Sequence, residues 1–271
     1  MDKINSLQNE RVKRVIRLRS RAGRDAAGLF IIEGGREIRR ALDAGIRPEA
    51  VFFCPGFLAE GDDSLAKICS ACGCAPVECS EPVFRKMAYG DHPDGMLVVA
   101  PQVRTTLAGL VLPENPLVLV AVEVEKPGNL GALIRSADAA GAHAVIACDG
   151  ATDVFNPNAV RASTGLVFSM PVVETTTAEL LPDLRRRKLK ILAATPSADM
   201  DYTRSDLRGS LAIAVGAEDQ GLSDAWLNAA DVRVRIPMRG TADSLNVSAA
   251  ASVLLFEAAR QRHADAPACR A

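Results

Sequence analysis

Apolar residues fall in short runs divided by glycine, proline and polar clusters, and the period of each run predicts its element. Residues 5–23 read as a basic helix with Val12, Val15 and Ile16 on one side. Leu29–Ile32 reads as a strand closed by Glu33-Gly34-Gly35, and Arg36–Ala44 as a helix stopped at Gly45. Strands are expected at Val51–Phe53, Pro76–Cys79 and Met96–Ala100, with a helix at Ser64–Cys72 and a helical turn at Pro82–Met87. This alternation predicts a small α/β domain over the first hundred or so residues. Pro101, Pro113 and Pro116 mark a linker, although Leu107–Leu112 has the character to pack on a domain.

Leu117–Val122 is continuously apolar, as suits a strand buried on both faces of a parallel sheet. Further strands are expected at Ala144–Ala147, Met170–Val173, Lys190–Ala194, Leu211–Val215 and Val232–Ile236. Helices are expected at Leu130–Ala140, Ala159–Leu166, Ala178–Lys188, Ala225–Ala229 and Val247–Arg260. Asn129 is placed as the N-cap of the first of these, and Gly141 ends it. The expected organisation is a domain over 1–103, a linker over 104–115, a second domain over 116–262 and a disordered tail over 263–271. Strand order alone suggests an ordinary doubly wound α/β sheet.

The chain has 271 residues, 48% of them hydrophobic, and a net charge of -1, which describes a soluble globular protein. No apolar run has the length of a membrane span, and Met1–Asn5 shows no signal core, so a cytoplasmic location is expected. The near-zero charge hides an asymmetry. Residues 1–40 carry eleven Lys/Arg against five Asp/Glu, and Arg11 to Arg24 includes seven basic residues and no acid. A basic arm on an otherwise acidic chain points to nucleic acid, the alternative being a solvated helix face, and makes Arg11, Lys13, Arg14, Arg17 and Arg24 candidate contacts for it. Aromatics are only 4% of the chain, which argues against a base-stacking platform. Seven cysteines without a secretion signal point to a reducing compartment. Cys69 and Cys72 have zinc-like spacing, but Cys74 and Cys79 complete no second pair, so no metal is expected.

Three polar, glycine-containing loops end apolar strands in the second half: Pro127–Arg135, Gly216–Ser223 and Arg235–Ser248. Such loops are where parallel α/β sheets bind ligands. None carries G-x-G-x-x-G or G-x-x-x-x-G-K-[ST], so hydride and phosphoryl transfer have little local support. Arg135 lies at the edge of the apolar face made by Leu130, Leu133, Ile134 and Ala137, with Asp138 placed to orient it. Glu218 reads as an anion for loop N–H groups, for an arginine or for a ligand. Ser244 and Asn246 read as helix caps.

Taken together the loops resemble the SpoU (TrmH-type) RNA 2′-O-ribose methyltransferases of the SPOUT superfamily. Asn129, Gly131 and Arg135 match the N-x-G-x-x-x-R element. Gly216, Glu218, Gly221, Leu222 and Ser223 match G-x-E-x-x-G-L-S. Ile236-Pro237-Met238, Gly240 and Ser244–Ser248 match I-P-M-x-G…S-L-N-V-S, and Arg161–Gly165 looks like an intervening R-x-S-x-G segment. The first domain is similar to the L30e-like substrate-binding domain often fused to this family, through Ser6–Asn9, Phe30–Gly34 and His92–Gly95. Glu125-Lys126 departs from the shorter, more neutral approach to the first motif.

The resemblance implies a C-terminal SPOUT domain, a parallel sheet with a deep trefoil knot, and a smaller N-terminal L30e-like α/β domain. It implies S-adenosylmethionine as cofactor, no metal, and methyl transfer to an RNA ribose. Ribosomal RNA is favoured; transfer RNA and a non-catalytic RNA-binding role are the alternatives. It places Gly216, Ile236 and Leu245 at the cofactor, with Thr195, Leu222 and Met238 as further candidates. Arg135, Asn129, Glu218, Ser244 and Asn246 are the catalytic candidates, and Arg161 joins the RNA contacts. Arg135 acts either as base or as phosphate clamp; a guanidinium gives up its proton too reluctantly to be a good base, which favours the clamp. The last helix is apolar nearly all round, which with the resemblance implies a homodimer.

Overall fold

A computed structural model describes residues 3–58, 68, 73–150 and 152–263. The expected helix at 64–72, with Cys69 and Cys72, and the tail beyond His263 lie outside the described residues. The chain divides into two compact units, one of residues 1–103 with 153–169 and the other of 104–152 with 170–271.

The first unit is built on a five-stranded mixed sheet. Its strands are β1 (Lys3–Ile4), β2 (Leu29–Glu33), β3 (Ala50–Phe53), β4 (Val77–Cys79) and β5 (Met96–Pro101), in the order β1-β4-β3-β5-β2. β5 runs antiparallel to β2 and β3, while β4 is parallel to β3 and β1. Helices α1 (Glu10–Arg17), α2 (Arg21–Ala27), α3 (Gly35–Asp43) and α4 (Glu81–Met87) cover it.

The expected single helix over 5–23 is two helices. Ser20 explains the break: its hydroxyl donates to the Arg17 carbonyl at 3.0 Å and accepts from Gly23 N at 3.1 Å. One side chain thus closes the first helix and caps the second. Val12 and Val15 remain the buried face of α1.

The segment 153–169 packs with this unit, although its sequence pattern grouped it with the second. Its helix, α6, spans Pro157–Ala162 and stops short of the expected Leu166. Phe155 and Phe168 meet Phe30 of β2 at ring-centroid distances of 4.8 and 5.7 Å. Arg40 donates to the carbonyl and hydroxyl of Thr164 at 2.6 and 2.7 Å.

The second unit is a six-stranded, wholly parallel sheet, as its apolar strands predict. Its strands are β6 (Leu117–Val122), β7 (Ala144–Cys148), β8 (Val172–Thr175), β9 (Lys190–Ala194), β10 (Leu211–Val215) and β11 (Val232–Val234), in the order β11-β9-β10-β6-β7-β8. β6, β7 and β10 are buried along their whole length. Helices α5 (Pro127–Ala139), α7 (Thr177–Arg186), α8 (Asp224–Ala229) and α9 (Val247–His263) flank the sheet.

Leu110 is buried in the core of this unit, with Leu107 and Leu112 packed against it. Arg187 donates to the carbonyls of Leu110 and Leu107 at 2.9 and 3.0 Å. Two backbone carbonyls satisfied by one guanidinium fix this otherwise irregular stretch.

Candidate active site

The loops that follow β6 and β10 meet the start of α9, all within the second unit. Helix α5 begins three residues earlier than periodicity suggests. Lys126 is its N-cap residue and Pro127 its first helical residue, a position that needs no N–H. Asn129 is therefore inside the first turn and not its cap. Its backbone N donates to the Lys126 carbonyl at 3.0 Å, so its side-chain amide is free for other work.

That amide donates to Glu218 Oε1 at 2.9 Å. Asn246 Nδ2 donates to the same oxygen at 2.5 Å, and Lys126 Nζ bonds Glu218 Oε2. Asn246 has two duties. Its Oδ1 accepts from Ser248 N at 3.0 Å, capping α9 as expected, while its Nδ2 reaches the carboxylate. Ser248 Oγ donates to the Asn129 carbonyl at 3.2 Å, and Ser136 and Ser252 are hydrogen-bonded at 2.8 Å, so α5 and α9 are held together beneath the cluster.

The ammonium of Lys126, then the amide of Asn129, hold the Glu218 carboxyl below its usual range. Glu218 in turn raises Lys126, through the same hydrogen bond. An ionised carboxylate is acceptor-only, and three donors converge on it here. A cleft of about 110 Å³ adjoins the cluster, lined by Glu123, Glu125, Lys126, Glu218, Asp219 and Val247 among others.

Gly216 allows the loop to turn. A Cβ there would lie 2.1 Å from the carbonyl carbon and oxygen of Gly221, inside the backbone itself. Ala217 and Gly221 pair across the turn, and Gly221 N donates to the Ala217 carbonyl at 3.0 Å.

The other candidates fall into groups. Arg135 is exposed on α5, and neither Asp138 nor any other described residue bonds it. Ser244 is exposed and stands outside the hydrogen-bonded cluster. Ile236, Met238 and Thr195 are half-buried, and Leu245 is 39% exposed. From Ile236 to Leu245 no backbone hydrogen bond ties the loop to other described residues, which leaves N–H and C=O groups for a ligand. The Leu222 side chain belongs to the core cluster that includes Trp226, which leaves its backbone groups for a cofactor. Lys126 is the participant that pattern reading missed. Its only signal was an unexpected charge just before the first motif.

In the first unit, Arg11, Arg14 and Arg17 are exposed, with Arg14 paired to Glu49 and Lys13 to Glu10. Arg24 corrects an expectation. It is 1% exposed, pairs with Asp153 at 2.5 Å, and donates to the Leu18 and Arg19 carbonyls at 3.0 and 2.9 Å. A guanidinium so enclosed cannot reach a phosphate. Arg161 is part-buried, 3.6 Å from Glu33 and 3.5 Å from Asp94. Cys79 is buried and Cys74 half-buried, and no group of metal-ligating side chains is found among the described residues.

Residues 116–256 match the SpoU rRNA methylase family. The chain belongs to that family. Residues 9–98 match the MRM3-like substrate binding domain. The 23S rRNA (guanosine-2′-O-)-methyltransferase RlmB of Ralstonia nicotianae is 40% identical over 148 residues, 54% of this chain and 59% of that protein. The chain thus matches little more than half the length of that relative. The 23S rRNA (guanosine(2553)-2′-O)-methyltransferase RlmP of Bacillus subtilis is 29% identical over 94% of this chain and 98% of its own length. A crystal structure of an RNA 2′-O ribose methyltransferase has a TM-score of 0.86 at 44% identity, covering 96% of this chain and 98% of the other. The AdoMet-bound rRNA methyltransferase of Sinorhizobium meliloti gives 0.86 at 30% identity, covering 96% and 97%. The loops that meet at Glu218 all lie within the matched residues.

Proposed function

We propose that this chain transfers a methyl group from S-adenosylmethionine to a ribose 2′-hydroxyl of RNA, with ribosomal RNA as the favoured substrate. The observation that carries the proposal is the gathering of Asn129 and Asn246 onto Glu218, with Asn129 on the helix that also presents Arg135 uncompensated. Relatives named as 23S rRNA 2′-O-methyltransferases support the substrate class.

The cofactor supplies a methyl group already activated on a sulfonium. The open backbone groups of Ile236–Leu245, with the half-buried Ile236 and Met238 side chains, suit an adenine edge and face. Thr195 and Gly216 complete that wall. The protein must align the ribose hydroxyl and stabilise charge as its proton leaves. Arg135, permanently charged, serves as clamp for the neighbouring phosphate and the developing alkoxide. Asn129, Asn246 and Glu218 hold the ribose side of the site, with Ser244, two residues before Asn246, as a further candidate. Arg11, Lys13, Arg14 and Arg17 meet the RNA backbone, and Arg161 contributes from the segment 153–169.

The same reading makes the chain a cytoplasmic homodimer whose second unit ends in a deep trefoil knot. α9 supports the dimer: Val247, Ala251, Leu254, Leu255 and Ala258 are buried, but Phe256 is 52% exposed, and Ala249, about two turns earlier on the same side, is exposed too. No helix among the described residues is long and apolar enough to cross a membrane.

The deciding experiment maps ribose methylation in RNA from cells with and without the gene. One ribosomal site should vanish on deletion and return with the wild-type gene. Loss of a transfer-RNA site instead would redirect the substrate, and an unchanged map would overturn the proposal. Sedimentation at micromolar concentration tests the dimer, and a monomer would refute it.

A further inference from the structure

Lys126 belongs to none of the motif residues, yet its side chain touches the group on which they converge. Its backbone and its side chain do different things. The Lys126 carbonyl accepts from Asn129 N at 3.0 Å and Leu130 N at 3.2 Å, starting α5 and fixing where Asn129 stands. The side chain of Lys126 crosses to the Gly216–Leu222 loop, 92 residues along the chain, and bonds Glu218. The division of the carboxylate is the decisive detail. Lys126 holds Oε2, while Asn129 and Asn246 both donate to Oε1.

We propose that Lys126 is a positioning residue for the reaction: it occupies one oxygen of Glu218 and so presents the other, in fixed orientation, to the amides of Asn129 and Asn246. This rests on the methyl-transfer reading given above. A carboxylate without Lys126 is free to turn about its terminal bond and exchange its oxygens, and the two amides lose their common reference. Protonation would disturb the cluster further, because a carboxylic acid gains an O–H donor where two N–H donors already point. The charge of Lys126 opposes that, consistent with the depressed Glu218 carboxyl. The other charged groups lining the same cleft are acidic, Glu123, Glu125 and Asp219, and Asp219 and Glu125 add to the upward pull on Lys126. Lys126 is the single cation among these lining residues.

The test is a double-mutant cycle on the full chain. Lys126→Met should lower kcat about tenfold, the scale of one hydrogen bond to a charged group, with KM for S-adenosylmethionine unchanged. Lys126→Arg should restore most of the loss. In a Glu218→Gln background, Lys126→Met should cost nothing more, because the group it acts through is already neutral. Additive losses, or a change in the salt dependence of RNA binding in that background, would make Lys126 an independent phosphate contact and overturn the proposal.

A second measurement needs no turnover. The side-chain amide resonances of Asn129 and Asn246 should titrate with Glu218, and Lys126→Met should move their shared midpoint upward. An unchanged midpoint also overturns the proposal. If the wild-type chain methylates no RNA, the methyl-transfer reading fails separately, and the amide titration alone decides the role of Lys126.

Discussion

One charge cluster in each unit is handled in the opposite way to the other. That of the first unit is enclosed: Arg24, Glu33, Glu37 and Asp153 are all buried. That of the second is displayed: Lys126 and Glu218 pair with side chains 72% and 27% exposed, and Arg135 stands open. Glu33 and Glu218 show the contrast in one residue type. Burial pushes the Glu33 carboxyl up, against the opposing pull of the Tyr89 N–H and Arg161. Donors from Lys126, Asn129 and Asn246 pull the Glu218 carboxyl down. Enclosed charge fixes one geometry at a cost in solvation, whereas displayed charge stays ready for a ligand.

The sharpest way to break this comparison is Arg24→Ala. It leaves Asp153 buried without its cation and should cost about 3–5 kcal/mol in chemical denaturation, the range for halving a buried pair. A loss below about 1 kcal/mol, ordinary for exposed pairs, would erase the distinction. Next comes Glu218→Ala, which should lower methyl transfer about a hundredfold, as loss of a preorganised polar group does elsewhere. Its thermal midpoint should stay within about 2 °C of wild type, since surface changes are small. Comparable damage to folding would mean that Glu218 is structural.

Neutralising Arg11 or Arg17 should weaken RNA binding uniformly and reduce the salt slope by about one. Binding that is insensitive to salt would remove α1 from the RNA surface.

The smallest effect is the most diagnostic, because its sign differs between the units. Glu33 has a raised folded pKa, so the native state holds its proton more tightly than the unfolded chain. Its contribution is fully present below the ordinary carboxyl value and is lost as pH rises through the raised one. Glu33→Gln should therefore raise the melting temperature at neutral pH and flatten that part of the profile. Glu218 runs the other way: its contribution is present above the ordinary value and lost as pH falls through the depressed one. Calorimetry across pH on both Gln variants reads the two signs.

Much of the second unit was legible because its cues are local. Continuous apolar runs marked β6 and β10, and buried Leu130, Leu133, Ile134 and Ala137 repeat the face expected of α5. The cap of α5 is not legible locally because asparagine is a common N-cap, yet Pro127 at the first helical position outweighs it. Ser20 was similarly hidden, since a serine within a basic helical pattern shows no sign of closing one helix and opening another. Lys126 and Glu218 are 92 residues apart, and only the fold brings them together. Arg24 looked like its neighbours in the basic arm, and nothing nearby announces Asp153, 129 residues away.

The excursion of the chain at 153–169 has a consequence for protein engineering. Phe30 is sealed by Phe155 and Phe168, so the segment that completes the first unit is encoded in the middle of the second. Neither unit is a cassette. A chimaera cut after residue 103 would leave Phe30 without its cover and Arg24 without Asp153. A graft that carries 153–169 with the first unit preserves both, so recombination between relatives should tolerate paired crossovers far better than single ones.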